Sequence, residues 1–291
     1  EAEGLFYCIY VFLKIAISHS SPYFERVDGM KCKLGLLQLV VGEDKEENLR
    51  QAEAAIGRVA AAGAELVVLP EMFCVPYETA RFPDYAEEEG GAAQTMLARA
   101  AKENHVWLIG GSICEREKGY YYNTSYVYDS DGHFVTKHRK KHLFDIDIKG
   151  GQYFKESDVL SPGEKTTVFD SPWGKIGLGI CFDIRFTKTA MVMVDAGARL
   201  LVYPAAFNPS TGPRHWELLF RARAMDGQCY AIGVAPARNE AASYVSYGHS
   251  IVVNPWAEVE EDLGTAVCEK VVDIDLDKVN DVRAQIPLGR K

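Results

Sequence analysis

From Met30 onward the chain alternates short β-rich apolar runs with segments of helical periodicity, a pattern that restricts it to an α/β fold with helices covering strands. Residues 34–41 predict a strand, 44–62 an amphipathic helix ended by Gly63, 66–69 a short strand closed by Pro70, 91–104 a second helix and 106–113 a third strand. The middle departs from this grammar. Residues 123–128 and 133–138 flank Asp129-Ser130-Asp131-Gly132, a turn signal that predicts an antiparallel hairpin. Alternation then resumes with a strand at 176–180, a helix at 187–196, a strand at 200–203, a helix at 215–226 and a strand at 230–234. A second hairpin, 250–254 with 259–262 around Pro255-Trp256, and a strand at 267–274 complete the chain. The expectation is one domain, built on a mixed sheet or on two packed sheets with helices outside.

Composition narrows the classes of function. A net charge of -9 and a pI near 5.4 disfavour a general binder of nucleic acid or anionic membrane, so an anionic ligand needs a local basic cluster. The seven cysteines are odd in number, widely spaced and free of any CxxC pair, which argues against a disulfide framework or a thiolate metal site and fits a reducing, cytoplasmic setting. Residues 5–13 are continuously apolar, but the run is far short of the roughly 20 residues a membrane span needs. Acidic Glu1 and Glu3 precede it, unlike the basic start of a signal peptide. Residues 1–29 therefore read as an N-terminal extension outside the catalytic fold, and 30–291 as the domain proper.

Strand ends carry the chemistry. The Gly-rich strand 176–180 runs into Cys181, with Asp183 and Arg185 marking where the chain surfaces. The run Leu66-Val67-Val68-Leu69-Pro70 delivers Glu71, a carboxylate placed for general-base work. Lys137-His138-Arg139-Lys140-Lys141-His142 is the strongest positive cluster and leads directly into Leu143-Phe144, so its end is expected to turn inward. For Cys181 and Glu71 a plain structural reading outweighs the functional one in isolation, a small buried thiol and a solvated loop carboxylate. For the basic run, a charged strand end or localisation patch is the plain reading, against which its passage into Leu143-Phe144 weighs. His138 and His142 have the i, i+4 spacing of a helical metal pair, but they follow a hairpin strand and lack a carboxylate in zincin order, so no metal is expected. There is no phosphate-binding glycine loop and no Gly-x-Ser-x-Gly elbow. Glu, Lys and Cys together suffice for acyl transfer from an amide: the carboxylate takes the thiol proton, the sulfur attacks the carbonyl carbon, and the ammonium stabilises the oxyanion.

Leu69-Pro70-Glu71-Met72-Phe73, Lys137 through Asp145, and Gly177 through Phe186 resemble the Glu, Lys and Cys signatures of the nitrilase superfamily of carbon-nitrogen hydrolases. The likeness continues through Phe154-Lys155-Glu156-Ser157, Leu160-Ser161-Pro162-Gly163, Thr211 through Glu217 and Gly248 through Trp256, covering essentially Met30 to the C-terminus. His142-Leu143-Phe144-Asp145-Ile146-Asp147 and Tyr203-Pro204-Ala205-Ala206-Phe207-Asn208 are most similar to its omega-amidase branch. The resemblance implies a four-layer αββα sandwich, a homodimer or larger homo-oligomer formed through helices on one face, no cofactor, and hydrolysis of the terminal amide of 2-oxoglutaramate or 2-oxosuccinamate through a thioester.

It also implies roles: Cys181 as nucleophile, Glu71 as general base, and Lys140 with the backbone N–H of Phe182 as oxyanion donors. Glu156 matches a second family carboxylate that supports Lys140. Tyr77 and the 205–208 loop with Phe207 are candidates for the substrate pocket; Asp183 and Arg185 could instead face substrate, but the expectation is that they brace the turn after Cys181 as an ion pair. Phe182, Ala205 and Gly227 depart from the family's usual Tyr, Gly and Asn, and Lys141 stands where an apolar residue is common. They touch substrate preference, not the catalytic groups. The alternatives are another amidase branch acting on deaminated glutathione or an N-carbamoyl compound, and a catalytically silent scaffold. Intact Glu71, Lys140 and Cys181 weigh against the scaffold.

Overall fold

The computed structural model describes residues 29–149 and 153–288, so the expected N-terminal extension lies outside the described residues except for Gly29. The first sheet is built from β1 (Lys31–Gln38), β2 (Leu66–Val68), β3 (Trp107–Ile109), β4 (Ile113–Glu117), β5 (Tyr120–Tyr128), β6 (Phe134–Arg139) and β15 (Cys268–Asp275). Its order is β15-β1-β2-β3-β5-β4, with β6 also on β5. The second sheet comprises β9 (Thr167–Ser171), β10 (Gly174–Leu178), β11 (Ala198–Pro204), β12 (Tyr230–Val234), β13 (Ile251–Val253) and β14 (Val259–Asp262), in the order β14-β13-β12-β11-β10-β9. A small hairpin, β7 (Asp145–Asp147) with β8 (Tyr153–Lys155), stands apart.

Period-2 alternation within the strands makes the layers. Leu34, Leu36, Leu66 and Val68 from the first sheet meet Ile176, Leu178, Leu200 and Val202 from the second in a core between the sheets. The intervening residues Leu37 and Val67 face outward onto Leu49, Ile56 and Leu97 of the helices Lys45–Ala61 and Ala92–Asn104. On the other side Leu201 and Tyr203 meet Met193, Trp216 and Phe220 of the helices Thr187–Asp195 and Gly212–Gly227. Each fully buried Leu, Ile or Phe contributes roughly 1.5–3 kcal/mol. Gly233 shows how closely helix and sheet approach, since a Cβ there would lie 2.3 Å from Phe220 Cζ. The result is helix, sheet, sheet, helix: the four-layer αββα sandwich, with the two-sheet alternative realised.

Two local differences from the expected pattern matter for function. The strand expected over 106–113 is interrupted at Gly110-Gly111, dividing β3 from β4. Gly111 has φ +59, and a Cβ there would meet Pro70 O at 2.1 Å, so the break is where the chain presses against the segment leading to Glu71. Ser112 then accepts hydrogen bonds from Met72 N at its Oγ (2.9 Å) and from Phe73 N at its carbonyl (3.2 Å), fastening the loop beyond Glu71. The C-terminal helix Asp277–Gln285 also differs from expectation, because it buries only Val279 and Val282 and so lacks a readable apolar stripe. Among the described residues, no helix is long and apolar enough to cross a membrane.

Candidate active site

Glu71, Lys140 and Glu156 are fully buried and meet at one end of the sheets. Glu71 follows β2 through Leu69-Pro70. Lys140 directly follows β6, and the strand's alternation decides which basic residue enters: Lys137 and Arg139 turn to Glu115, while His138 and Lys140 turn inward. Neighbouring Lys141 stays half-buried, 3.5 Å from Thr166 Oγ1. Glu156 opens a 3₁₀ turn, Glu156–Asp158, after β8 and accepts Phe144 N–H at 2.6 Å.

Lys140 Nζ lies 2.8 Å from Glu71 Oε1 and 2.9 Å from Glu156 Oε2. The Tyr77 hydroxyl bridges the same carboxylates, 3.0 Å from Glu71 Oε1 and 2.8 Å from Glu156 Oε1. Asn123 Nδ2 donates to Glu71 Oε1 at 2.8 Å. Three donors thus converge on Oε1, leaving Oε2 buried and without a partner. Burial disfavours the Lys140 charge, but Glu156 and Glu71 outweigh it and hold the ammonium well above its ordinary range. Glu156 is pushed up by burial and by Glu71, with Lys140 opposing. One ammonium shared by two carboxylates keeps the cation charged and makes the acids compete for it.

Cys181 sits where β10 gives way to the 3₁₀ turn Cys181–Arg185, with φ +45, a backbone state that is strained for a residue with a Cβ. Gly179 permits the turn to lie against the second sheet, since a Cβ there would come within 2.6 Å of the Tyr203 ring. The thiol is raised well above its ordinary range by burial and by the Glu71 charge, with Lys140 opposing the shift. The resting sulfur is therefore a thiol, with a carboxylate beside it able to accept its proton.

The turn is braced differently from the expected Asp183–Arg185 ion pair. Asp183 Oδ2 accepts from Ile180 N and pairs with His138 Nε2, both at 2.9 Å; Oδ1 accepts from His142 N at 2.9 Å and meets His142 Nδ1 at 2.7 Å. Burial opposes the charge, but the His138 and His142 bonds keep this carboxylate far below its usual range. The histidines that carried metal-like spacing thus both serve Asp183. Arg185 is left for another purpose. Its guanidinium lies 5.5 Å from the Phe182 ring centre and 5.1 Å from that of Phe207, with Nη2 3.2 Å from His215 Nδ1. Its Nε is buried without a hydrogen-bond partner.

Residues 33–284 match the profile of the carbon-nitrogen hydrolase family. The chain belongs to that family. Omega-amidase NIT2 of Bos taurus is 50% identical over 256 residues, spanning 88% of this chain and 93% of the relative. Omega-amidase NIT2-B of Xenopus laevis is 49% identical over 261 residues, spanning 90% and 95%. Among solved structures, Nit3 of Saccharomyces cerevisiae, a member of branch 10 of the nitrilase superfamily, superposes with a TM-score of 0.82 at 38% identity, over 89% of this chain and 95% of that one.

In this carbon-nitrogen hydrolase the fold brings together Glu71, Lys140, Cys181 and Glu156, four of the residues singled out in the sequence. Tyr77 lines the same recess as Glu71, and its hydroxyl bonds to Glu71 and Glu156. Phe182 packs its ring on Phe144 at 5.4 Å, and Phe207 packs on Trp216 at 5.1 Å while flanking Arg185. Ala206 lies in the 205–208 loop expected at the pocket, whereas sequence reasoning missed Asn123 and Tyr244. Tyr244 lies over the site, with its ring 4.6 Å from that of Tyr77, and lines with Glu71, Met72, Ala206 and Ala237 a recess of about 60 Å³. No periodicity or motif chemistry distinguishes Asn123 or Tyr244.

Proposed function

We propose that this carbon-nitrogen hydrolase is an omega-amidase, cleaving the terminal amide of a dicarboxylic omega-amide such as 2-oxoglutaramate or 2-oxosuccinamate. One observation carries the reaction class: a buried thiol under the influence of Glu71 and of an ammonium kept charged by two buried carboxylates. Glu71 takes the thiol proton as Cys181 Sγ bonds to the amide carbon. The oxyanion is met by Lys140 and the backbone N–H of Phe182. Glu71 returns the proton to nitrogen, the C–N bond breaks, and ammonia leaves a thioester. Water then gives a proton to Glu71 while its oxygen bonds to the acyl carbon. The C–S bond breaks, the sulfur regains the proton, and the free acid departs. Glu156 holds Lys140 through both steps.

The substrate assignment is supported by the names of the relatives and by Arg185, whose half-buried guanidinium pairs with no carboxylate among the described residues and lies beside the nucleophile's turn. A remote substrate carboxylate suits it. The reading includes a homodimer or larger homo-oligomer, for which Val192, Leu218 and Met225 offer exposed apolar side chains on the helices Thr187–Asp195 and Gly212–Gly227. A cytoplasmic site is supported by the six described cysteines, all free.

The test is ammonia release from 2-oxoglutaramate, 2-oxosuccinamate, deaminated glutathione and an N-carbamoyl amino acid, with Cys181→Ala and Arg185→Met alongside. The omega-amides should be turned over best, and Cys181→Ala should lose at least about 10⁴-fold in kcat. Arg185→Met should raise KM for the omega-amides by about 10- to 100-fold, the loss of one charge-assisted contact. Turnover of the N-carbamoyl compound alone would sink the substrate assignment. Activity surviving in Cys181→Ala would falsify the thioester route.

A further inference from the structure

Glu71 meets its surroundings through one oxygen. Oε1 faces Lys140 Nζ at 2.8 Å, the Tyr77 hydroxyl at 3.0 Å and Asn123 Nδ2 at 2.8 Å. Oε2 is buried and has no hydrogen-bond partner among the described residues. A carboxylate oxygen has about two lone-pair sites. Three donors therefore saturate Oε1, and a proton arriving at this group is taken by Oε2.

The three donors are not equivalent. The Tyr77 hydroxyl has a single hydrogen and lies 2.8 Å from Glu156 Oε1, nearer than to Glu71. Lys140 is shared as well, with Nζ 2.9 Å from Glu156 Oε2. Once Glu71 is neutral, both are drawn to the charge that remains on Glu156. The Asn123 amide faces no such choice, because Glu71 is the carboxylate it bonds. It sits within β5, fully buried, and its backbone carbonyl accepts Lys140 N–H at 2.8 Å. Strand alternation sends neighbouring Thr124 to Glu115 at 2.7 Å and Asn123 to the opposite face, towards Glu71. Its Oδ1 is buried without a partner among the described residues. An unpaired buried acceptor lowers stability, so an apolar side chain of the same size would suit the fold about as well. What the amide adds is the bond to Glu71.

We propose that Asn123 is a positioning residue for the reaction: it keeps the Glu71 carboxyl from turning in both protonation states, so that Oε2 takes the proton from Cys181 Sγ and hands it to the departing amide nitrogen. In the charged state Nδ2 bonds a carboxylate oxygen. In the neutral state Oε1 is a carbonyl oxygen and still accepts that bond, while Oε2 carries the hydrogen. A carboxyl free to rotate between the two transfers would aim its O–H away from the nitrogen, and proton transfer depends on that aim. The proposal rests on Glu71 being the base and Cys181 the nucleophile, as argued above.

Asn123→Leu removes the donor, keeps the size of the side chain and leaves the backbone bond to Lys140 in place. Single-turnover ammonia release, with enzyme in excess over the amide it turns over best, reports C–N cleavage itself. That rate should fall by about 10- to 100-fold, with KM within about twofold of wild type. The melting temperature should stay within about 3 °C, as expected where stability is little changed. A single-turnover rate within about twofold of wild type overturns the proposal. So does a fall matched by an equal rise in KM or by a larger drop in melting temperature, since either marks a merely structural role. If the leucine variant does not fold, Asn123→Ser, whose hydroxyl is too short to reach Glu71, is read by the same criteria. The underlying assignment fails separately: Cys181→Ala that still releases ammonia overturns the nucleophile and base, whereas an unaffected Asn123→Leu beside an inactive Cys181→Ala overturns only the role of Asn123.

Discussion

Glu115 and Glu156 are both buried carboxylates bonded to a lysine from the same basic run, yet their surroundings push them in opposite directions. Glu115 receives Lys137 at 2.5 Å, Arg139 at 2.7 Å and Thr124 Oγ1 at 2.7 Å. Burial raises it, but Arg139 and Lys137 outweigh that and bring its pKa down to about 2. Glu156 shares its one lysine with Glu71 and is pushed up by burial. In the first cluster two cations converge on Glu115, of which Arg139 also meets the half-exposed Glu117 at 3.0 Å, and those cations keep 31% and 21% of their side chains exposed. The second has two acids for one cation, all fully buried. Excess cation gives a permanently ionised anchor. Excess carboxylate, away from water, gives groups that exchange protons, which is what a general base requires.

The largest effect should follow from Lys140→Met, which strands two carboxyls with no cation. Turnover should fall by at least about 10³-fold, and folding should lose roughly 3–5 kcal/mol near pH 7. Without the ammonium, which opposes the effect of burial and of Glu71 on Glu156, the folded-state pKa of Glu156 rises further above its unfolded value. The variant's stability is then fully present below about pH 4.3 and declines as pH rises through the raised value. Urea melts across pH test this. A pH-independent loss would mean that the two acids do not compete for the cation.

An intermediate effect is expected of Asp183→Asn, which unbinds the nucleophile's turn from His138 and His142. A loss of about 1–3 kcal/mol in stability should accompany a fall in kcat on the order of tenfold or more, with KM little changed. The native Asp183 is depressed in the folded state, so its contribution is present above about pH 3.9 and lost as pH falls below that. Wild-type kcat in the variant would separate the brace from catalysis.

The smallest effect on activity belongs to Glu115→Gln. Turnover should stay within about twofold, while stability falls by about 1–3 kcal/mol at pH 7. In the native protein this contribution is held above about pH 4.3 and lost as pH falls towards the folded value near 2. Thermal melts from pH 2 to 6 should therefore be less steep in the variant. A large loss of turnover would erase the distinction between the clusters.

What was legible before the fold was known is uneven for a physical reason. Glu71 and Cys181 could be picked out because each terminates a strand written in consecutive residues. The choice of Lys140 over Lys141 follows from the twofold alternation of β6. The Asp183–Arg185 pairing was misread because proximity in sequence stood in for proximity in space: the real partners, His138 and His142, are 45 and 41 residues away. Asn123 and Tyr244 left no signal at all, since nothing in their neighbours marks them as facing a carboxylate or a peptide across the site. The break at Gly110-Gly111 was likewise hidden, because an apolar run reads as one strand whether or not another backbone presses on it.

The sequence by itself determined the order of strands and helices, the alternation that sorts side chains into layers, and the kinds of chemical groups available at the strand ends. Only the tertiary structure decided how many charges of each sign surround Lys140, which histidines hold Asp183, and that Arg185 is spared an acidic partner at the turn. Periodicity is a local property of the chain. Protonation and catalytic poise depend on through-space distance and on the removal of water, and those exist only once the two sheets have closed on each other.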